Sequence, residues 1–196
     1  MSDADLVARA QEGDVQAFEE LVQKYQRQVY ALACRLVMDG EEAKDLAQQA
    51  MLQAFLHIRD FRRQSQFRTW LFRIAINQCY DYLKSRKRFG DRVNWDDVVL
   101  VSHDSPEEDL AAQDERRRLH AALALLPAKQ RAVVSLKIDQ GLSYQEISQT
   151  LGGTVGAARV NFCQALKALK KYLRKEAEDE VAVQPYPGVA PRISRR

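Results

Sequence analysis

Apolar residues that return at steps of three and four constrain this chain more than any other feature. Phe18, Leu21, Val22, Tyr25, Val29, Leu32, Ala33 and Leu36 fall on one side of a helix. Asp39-Gly40 interrupts it. Ala43, Leu46, Ala47, Ala50, Met51, Ala54, Phe55 and Ile58 then form a second apolar face between Glu41 and Ile58. A third stretch begins near Phe67, with Trp70, Leu71 and Ile74 turned inward. Such stripes leave water only by packing on one another, so a helical bundle is expected from about Asp5 to Arg88. Only 8 Gly and 5 Pro stand among 196 residues. Ala, Leu, Gln, Arg and Glu dominate instead, and the expected fold class is all-α.

A second group of helices follows. Leu119, Ala122, Leu123 and Leu126 lead up to Pro127, and another helix spans Lys129 to Asp139, closed by Gly141. Ser143-Tyr144-Gln145-Glu146 has capping-box spacing, in which the hydroxyl accepts from a free helix N–H and the Glu reaches back. Ile147 and Leu151 supply the inner face of that helix, Gly152-Gly153 permit a tight turn, and Thr154 caps a helix running to about Arg174. Ala158, Phe162, Ala165, Leu166, Leu169 and Leu173 are expected inward on it. This is helix-turn-helix spacing. The expected organisation is therefore a bundle at 1–88, a flexible acidic linker at 89–113, a helix-turn-helix domain at 114–175 and a disordered tail at 176–196.

Charge is segregated along this frame. Arg59 to Arg92 carries ten Arg or Lys, Asn94 to Glu115 carries eight acids and no Lys or Arg, and Arg159 to Lys175 carries six Arg or Lys and no acid. Two basic blocks around an acidic connector fit two polyanion-binding surfaces, although solvated basic helices give the same pattern. Cys34, Cys79 and Cys163 lie far apart and only three His are present, so reduced thiols and no metal site are expected. No apolar run approaches the roughly 20 residues that cross a bilayer, and the N-terminus lacks a signal-peptide pattern. A cytoplasmic protein without membrane insertion is expected. No nucleophile, carboxylate pair or phosphate loop is recognisable, which argues against an enzyme and against a cofactor.

Three surfaces remain for binding. On the last helix, Arg159, Val160, Cys163, Gln164 and Lys167 face away from the inner stripe; Arg and Gln can pair with purine edges and a small apolar group can meet a thymine methyl. Between Asp60 and Arg73, Phe61, Phe67, Trp70 and Phe72 alternate with Arg62, Arg63, Arg68 and Arg73, the combination that stacks unpaired bases and follows phosphate. Phe67 and Trp70 have the spacing of core residues, which leaves Phe61 and Phe72 as the stacking candidates. Asp45, Gln49, Leu52 and Leu56 form a second stripe on their helix that suits a docking partner, and that also suits leucines merely left exposed.

Three runs in the sequence resemble extracytoplasmic-function sigma factors. They are Asp45-Leu46-Ala47-Gln48-Gln49, then Phe67-Arg68-Thr69-Trp70-Leu71-Phe72-Arg73-Ile74-Ala75-Ile76-Asn77, and Leu126-Pro127 through Gly141-Leu142-Ser143-Tyr144-Gln145-Glu146-Ile147. The resemblance extends from about Asp3 to Leu173. It implies a sigma-2 domain and a sigma-4 domain, core RNA polymerase and promoter DNA as partners, and an anti-sigma factor. By matched position it places Asp45, Gln48, Gln49, Leu52 and Leu56 on the polymerase clamp. Phe61, Arg62, Trp70, Phe72 and Arg73 fall near the melted minus-ten strand. Asn77 starts a base-capturing loop that continues through Gln78, Cys79, Tyr80 and Asp81. Arg159, Val160, Asn161, Cys163, Gln164 and Lys167 lie at the minus-thirty-five element, with Lys137 as a contact from the preceding helix.

The chain departs from the family pattern in three places. Gln48-Gln49 stands where Gln-Glu is usual, Asn161 and Gln164 stand where arginine is frequent, and the tail after Lys175 has no counterpart. Two other functions fit parts of the sequence. A helix-turn-helix repressor or activator that needs no polymerase would leave the Asp45 stripe and the aromatic-arginine segment unused. An adaptor that holds polymerase or an anti-sigma factor without reading DNA would leave Arg159 and Gln164 unused.

Overall fold

The computed structural model describes residues 1–88 and 118–183, with side chains described as far as Lys175. The expected linker at 89–113 and the end of the tail lie outside the described residues. All regular structure within them is helical.

Helix α1 (Asp3–Gln11) starts at Ser2, whose hydroxyl accepts from the Asp5 N–H while the Asp5 carboxylate takes the Ser2 N–H, a capping box. Asp14 caps α2 (Val15–Val37). That helix ends where Met38 turns left-handed at φ 61°, and Asp39 then caps α3 (Gly40–Leu56). The break between the first two long helices thus sits at Met38 and Asp39, and Gly40 is already the first residue of α3. A short 3-10 turn (Ile58–Asp60) and a loop lead into α4 (Phe67–Arg88).

In the second half, α5 takes in residues 118–124 and α6 spans Ala128–Val134. The expected helix to Asp139 is present with a change of pitch: Ser135–Asp139 is a π-type turn. Helix α7 (Tyr144–Leu151) and helix α8 (Val155–Val183) complete the helix-turn-helix. The turn between them passes through Gly152 and Gly153, at φ 66° and 146°, where a side chain would be strained. Residues 176–183, expected as part of a disordered tail, are helical, because α8 continues to Val183. The stretch from Lys175 to Val183 contains neither Gly nor Pro to stop it.

The two helical domains also pack on each other. One continuous core joins Leu21, Leu32, Leu36, Leu71 and Ile76 to Ala132, Val133, Leu136, Leu142 and Ile147. A second cluster sets Met38 against Ala122, Leu123, Val134, Ala165 and Leu169. Polar groups cross the same seam. Arg131 donates to the Leu36 carbonyl at 3.0 Å and to the Ala124 carbonyl at 3.0 Å, which satisfies the carbonyl left open at the end of α2. Arg35 meets Asp139 at 3.4 Å, and Arg68 reaches the Gln140 carbonyl at 3.5 Å and Glu146 at 3.9 Å. The hydrophobic surface carries this seam, since ion pairs this open to solvent contribute about 1 kcal/mol at most. Its effect on the site is to lay α7 along α4.

Candidate polymerase and nucleic-acid surfaces

The stripe on α3 is clear of the bundle. Ala43, Leu46, Ala47, Ala50 and Ala54 face the core, while Asp45, Gln48 and Gln49 are exposed and Leu52 and Leu56 are 56% and 60% exposed. Phe55 adds to the patch, its ring edge resting on Phe18 at 5.1 Å. Alanines at the buried positions let α3 lie close to α2 and α4, and the larger apolar groups are left for the outside. Three large hydrophobic side chains within five residues exceed the scattered leucines of an ordinary surface.

The aromatic-arginine segment is arranged differently from its sequence expectation. Phe61 is 7% exposed and Phe72 is 0% exposed, so the two expected stacking rings are core residues. Phe61, Phe67 and Trp70 form one cluster, with centroids 5.0 Å apart for Phe61–Trp70 and 5.7 Å for Phe67–Trp70. Tyr25 joins it through Phe67 at 5.8 Å. Trp70, expected inward by its spacing and near the melted strand by the resemblance, is the half-buried member with surface left to offer. Arg62 and Arg73 are exposed beside it. The buried rings have a plain cause, since an aromatic side chain gains most by leaving water, and α4 has neighbours on two sides to receive it.

Asn77 is exposed, but it stands in the middle of α4 and starts no loop. No Gly or Pro lies between Phe67 and Arg88 to end the helix there. Of the residues expected to follow it in that loop, Asp81 is exposed, Gln78 and Tyr80 are partly buried, and Cys79 is fully buried. Burial pushes the Cys79 thiol up to about 12 and the Tyr80 hydroxyl to about 12, with Cys79 adding to the latter. The Tyr80 hydroxyl has no hydrogen-bond partner among the described residues.

On the helix-turn-helix, the Ser143 hydroxyl accepts from the Glu146 N–H at 3.2 Å, and the Glu146 carboxylate accepts from the Ser143 N–H at 2.8 Å. That backbone bond is the main reason the Glu146 carboxyl is held below its usual range. Thr154 accepts from the Ala157 N–H at 3.1 Å and so starts α8. Ala158, Ala165 and Leu169 are buried, and Phe162 is partly so. Leu166 and Leu173, expected inward, are exposed, because the buried seam advances by seven and four residues and they fall to one side of it.

The outer face of α8 presents Arg159, Val160, Cys163, Gln164 and Lys167 to solvent, with Val160 54% exposed. Gln164 accepts from Gln130 at 3.4 Å. Asn161 is less available than its neighbours, since its amide donates to the Ala157 carbonyl at 2.8 Å on its own helix. Lys137 donates to the Leu142 carbonyl at 3.1 Å.

Tyr144 was not singled out by sequence. The Lys137 ammonium lies 4.9 Å from its ring centroid and the Arg159 guanidinium 5.5 Å, so one ring seats two cations. The only sequence signal is its place directly after the capping Ser143. Gln11 was also not singled out, and no periodicity marks it. Its side chain amide donates to the Ile58 carbonyl at 3.0 Å and the Phe61 carbonyl at 2.8 Å, and accepts from Arg63 at 2.9 Å. Among the described residues no group of three metal-ligating side chains occurs, and no helix is long and apolar enough to cross a membrane.

Residues 8–89 match the family described as Sigma-70 region 2, and residues 116–169 match Sigma-70, region 4. The RNA polymerase sigma-H factor of Pseudomonas aeruginosa is 35% identical over 181 residues, covering 88% of this chain and 94% of that one. The ECF RNA polymerase sigma-E factor of Escherichia coli is 32% identical over 178 residues, covering 86% and 93%. Among solved structures, CnrH in complex with the cytosolic domain of CnrY superposes with a TM-score of 0.69 at 27% identity, covering 88% of this chain and 97% of that one. The sigma factor RpoE of Bartonella quintana, in complex with the anti-sigma factor NepR, shares the fold at a TM-score of 0.67 and 24% identity, covering 80% and 96%. Two region matches in sigma order and relatives aligned over nearly their whole length place this chain among the extracytoplasmic-function sigma factors, non-enzymatic regulators of transcription initiation.

Proposed function

We propose that this sigma factor binds core RNA polymerase through α3, reads the minus-thirty-five element with α8 and holds the melted minus-ten strand along 61–81. One observation carries the reading: α8 keeps Arg159, Val160, Cys163 and Gln164 in solvent while Ala158, Ala165 and Leu169 anchor it from behind. A helix anchored on one side with base-reading groups on the other is what a major groove admits. On the minus-ten side the reading uses Trp70, Arg62, Arg73 and Asn77. Phe61, Phe72 and Cys79 support them from the core.

The apolar patch of Leu52, Phe55 and Leu56 beside Asp45 and Gln49 supports α3 as the polymerase-binding helix. The protein acts in the cytoplasm, where polymerase and promoter are. Its regulator is an anti-sigma factor that holds the two halves closed, and the seam through Arg131, Met38 and Leu136 supplies the closed arrangement such a partner would stabilise.

Run-off transcription with core polymerase over a promoter library tests the whole reading. A selected sequence with two separated elements is expected, and transcripts without sequence preference would overturn it. For α3, Asp45→Lys combined with Leu52→Ala should weaken core binding at least about tenfold, the scale set by losing one docking hot spot. Wild-type core affinity in the folded double variant would remove α3 from the interface.

A further inference from the structure

We propose that Gln11 is a positioning residue for strand capture: it fixes the conformation of 58–63, the stretch that joins the polymerase helix α3 to the minus-ten helix α4. The inference rests on the reading of 61–81 as the strand-binding segment.

Gln11 is the last residue of α1, and three hydrogen bonds leave its one amide for a segment far along the chain. Both N–H groups of the amide are spent, on the carbonyls of Ile58 and Phe61, and its oxygen takes the Arg63 guanidinium. An amide can do this where no hydroxyl or carboxylate can, since only it both donates twice and accepts. Arg63 itself stands at φ 55°, a left-handed conformation that a side chain other than Gly adopts only when its surroundings hold it.

The clamp has a firm base. Leu6, Val7 and Ala10 bury α1 against the bundle, Arg9 binds Asp14 across the corner into α2, and Asp3 is held by Lys24 and Tyr25. The same corner meets the segment a second time, where the Arg59 guanidinium lies beside Gly13, 3.6 Å from the point a Cβ there would occupy. Arg62 lies exposed between Phe61 and Arg63, two of the three positions that Gln11 holds. The Phe61 ring, whose carbonyl is one of the anchors, lies 5.0 Å from Trp70. The fork therefore presets the two groups best placed for a phosphate and a base, Arg62 and Trp70, before any strand arrives. Without it the Phe61 carbonyl turns to water and the Ile58 carbonyl keeps only the Phe61 N–H at 3.2 Å, and the ordering must come out of strand affinity.

The test uses reconstituted holoenzyme and one promoter from the library selection, made as full duplex and with its minus-ten region pre-melted by mismatches. Gln11→Met keeps the shape and removes all three bonds, and it should lose about tenfold in affinity for the pre-melted promoter, about the worth of one ordinary hydrogen bond passed on to the strand. Core affinity should stay at the wild-type value. Gln11→Glu keeps the bond to Arg63 and removes both donors, and it should fall between the two. Arg63→Met should weaken strand binding less than Gln11→Met, and the double variant should lose no more than Gln11→Met alone.

A residue that only stabilises the bundle would lower the melting temperature and leave strand affinity unchanged well below it. That result overturns the proposal, as does an equal loss in core affinity. If wild-type holoenzyme itself prefers the pre-melted promoter no more than duplex, or if Trp70→Ala and Arg62→Ala bind it normally, the strand-binding reading has failed and takes this proposal with it.

Discussion

Helices α4 and α8 carry similar ingredients, basic residues interleaved with apolar ones, and the structure uses them in opposite ways. On α8 the groups suited to nucleic acid stay outside. On α4 and the loop before it, Phe61, Phe67, Phe72 and Cys79 are drawn into the core, leaving Arg62, Trp70, Arg73, Asn77 and Asp81 with surface to offer. The cause is how the neighbours are placed, since α8 also meets more than one helix, α6 and α7. Helix α8 leans on the second half along a single seam of Ala158, Ala165 and Leu169, whereas α4 has α2 and α3 on one side and α7 on another. A helix covered twice draws most of its aromatic rings inward, because burying a ring is worth more than exposing it, and Trp70 is the ring left half-buried.

The strongest test of that contrast lies in α4. Phe72→Ala should cost about 3–5 kcal/mol of stability, the range for emptying a buried aromatic site, and should impair polymerase binding and both DNA contacts together. Trp70→Ala, at a half-buried site, should cost less stability and impair strand capture while core affinity holds. Urea unfolding with binding measured on each folded variant separates them. A Phe72→Ala protein of normal stability that fails only in strand capture would break the comparison, because the ring would then be serving DNA.

The seam that brings α7 onto α4 contains a titratable group. His120 is buried, its Nδ1 has no hydrogen-bond partner among the described residues, and burial, with Arg35 and Arg131 nearby, pushes it down to about 4. A histidine depressed in the folded state is neutral there and protonates near 6.5 when unfolded. Its contribution is therefore whole above about pH 6.5 and is lost progressively as pH falls towards 4. The loss across that window is about 3 kcal/mol at most. Unfolding curves at pH 7.5 and pH 5 should show it, and His120→Leu should flatten the difference. An equal acid dependence in that variant would assign the effect to the carboxylates and take His120 out of the seam.

The contrast between α4 and α8 also explains what could be read in advance. The positions of the long helices, the Ser143-Glu146 box, the Thr154 cap and the α8 face follow from spacing and local chemistry, which the sequence displays directly. So does the α3 stripe, since its two leucines stand clear of the alanine-rich inner face. The burial of Phe61 and Phe72 depends on a second neighbour that no single helix announces. Asn77 belongs to a helix that simply has nothing to end it. Gln11 acts across 47 and 50 residues of chain, a separation at which periodicity carries no information. The seam between the halves is of the same kind, because Leu36 and Arg131 are 95 residues apart.

The smallest expected effects divide α8 from the π-type turn that precedes α7. Arg159 and Gln164 lie on the exposed face of α8, and Lys137, which shares the Tyr144 ring with Arg159, is also bonded to the Leu142 carbonyl. Arg159→Ala or Gln164→Ala should cost about 1–3 kcal/mol at one promoter position and relax the preference there. Lys137→Ala should weaken all promoters alike and lower the salt slope by about one, the signature of a single phosphate contact. Selection on a randomised upstream element, repeated at two salt concentrations, distinguishes these outcomes. If Arg159→Ala and Gln164→Ala lower affinity without altering the selected sequence, α8 holds the backbone only. Its exposed face would then differ from that of α4 in solvent access and not in what it reads.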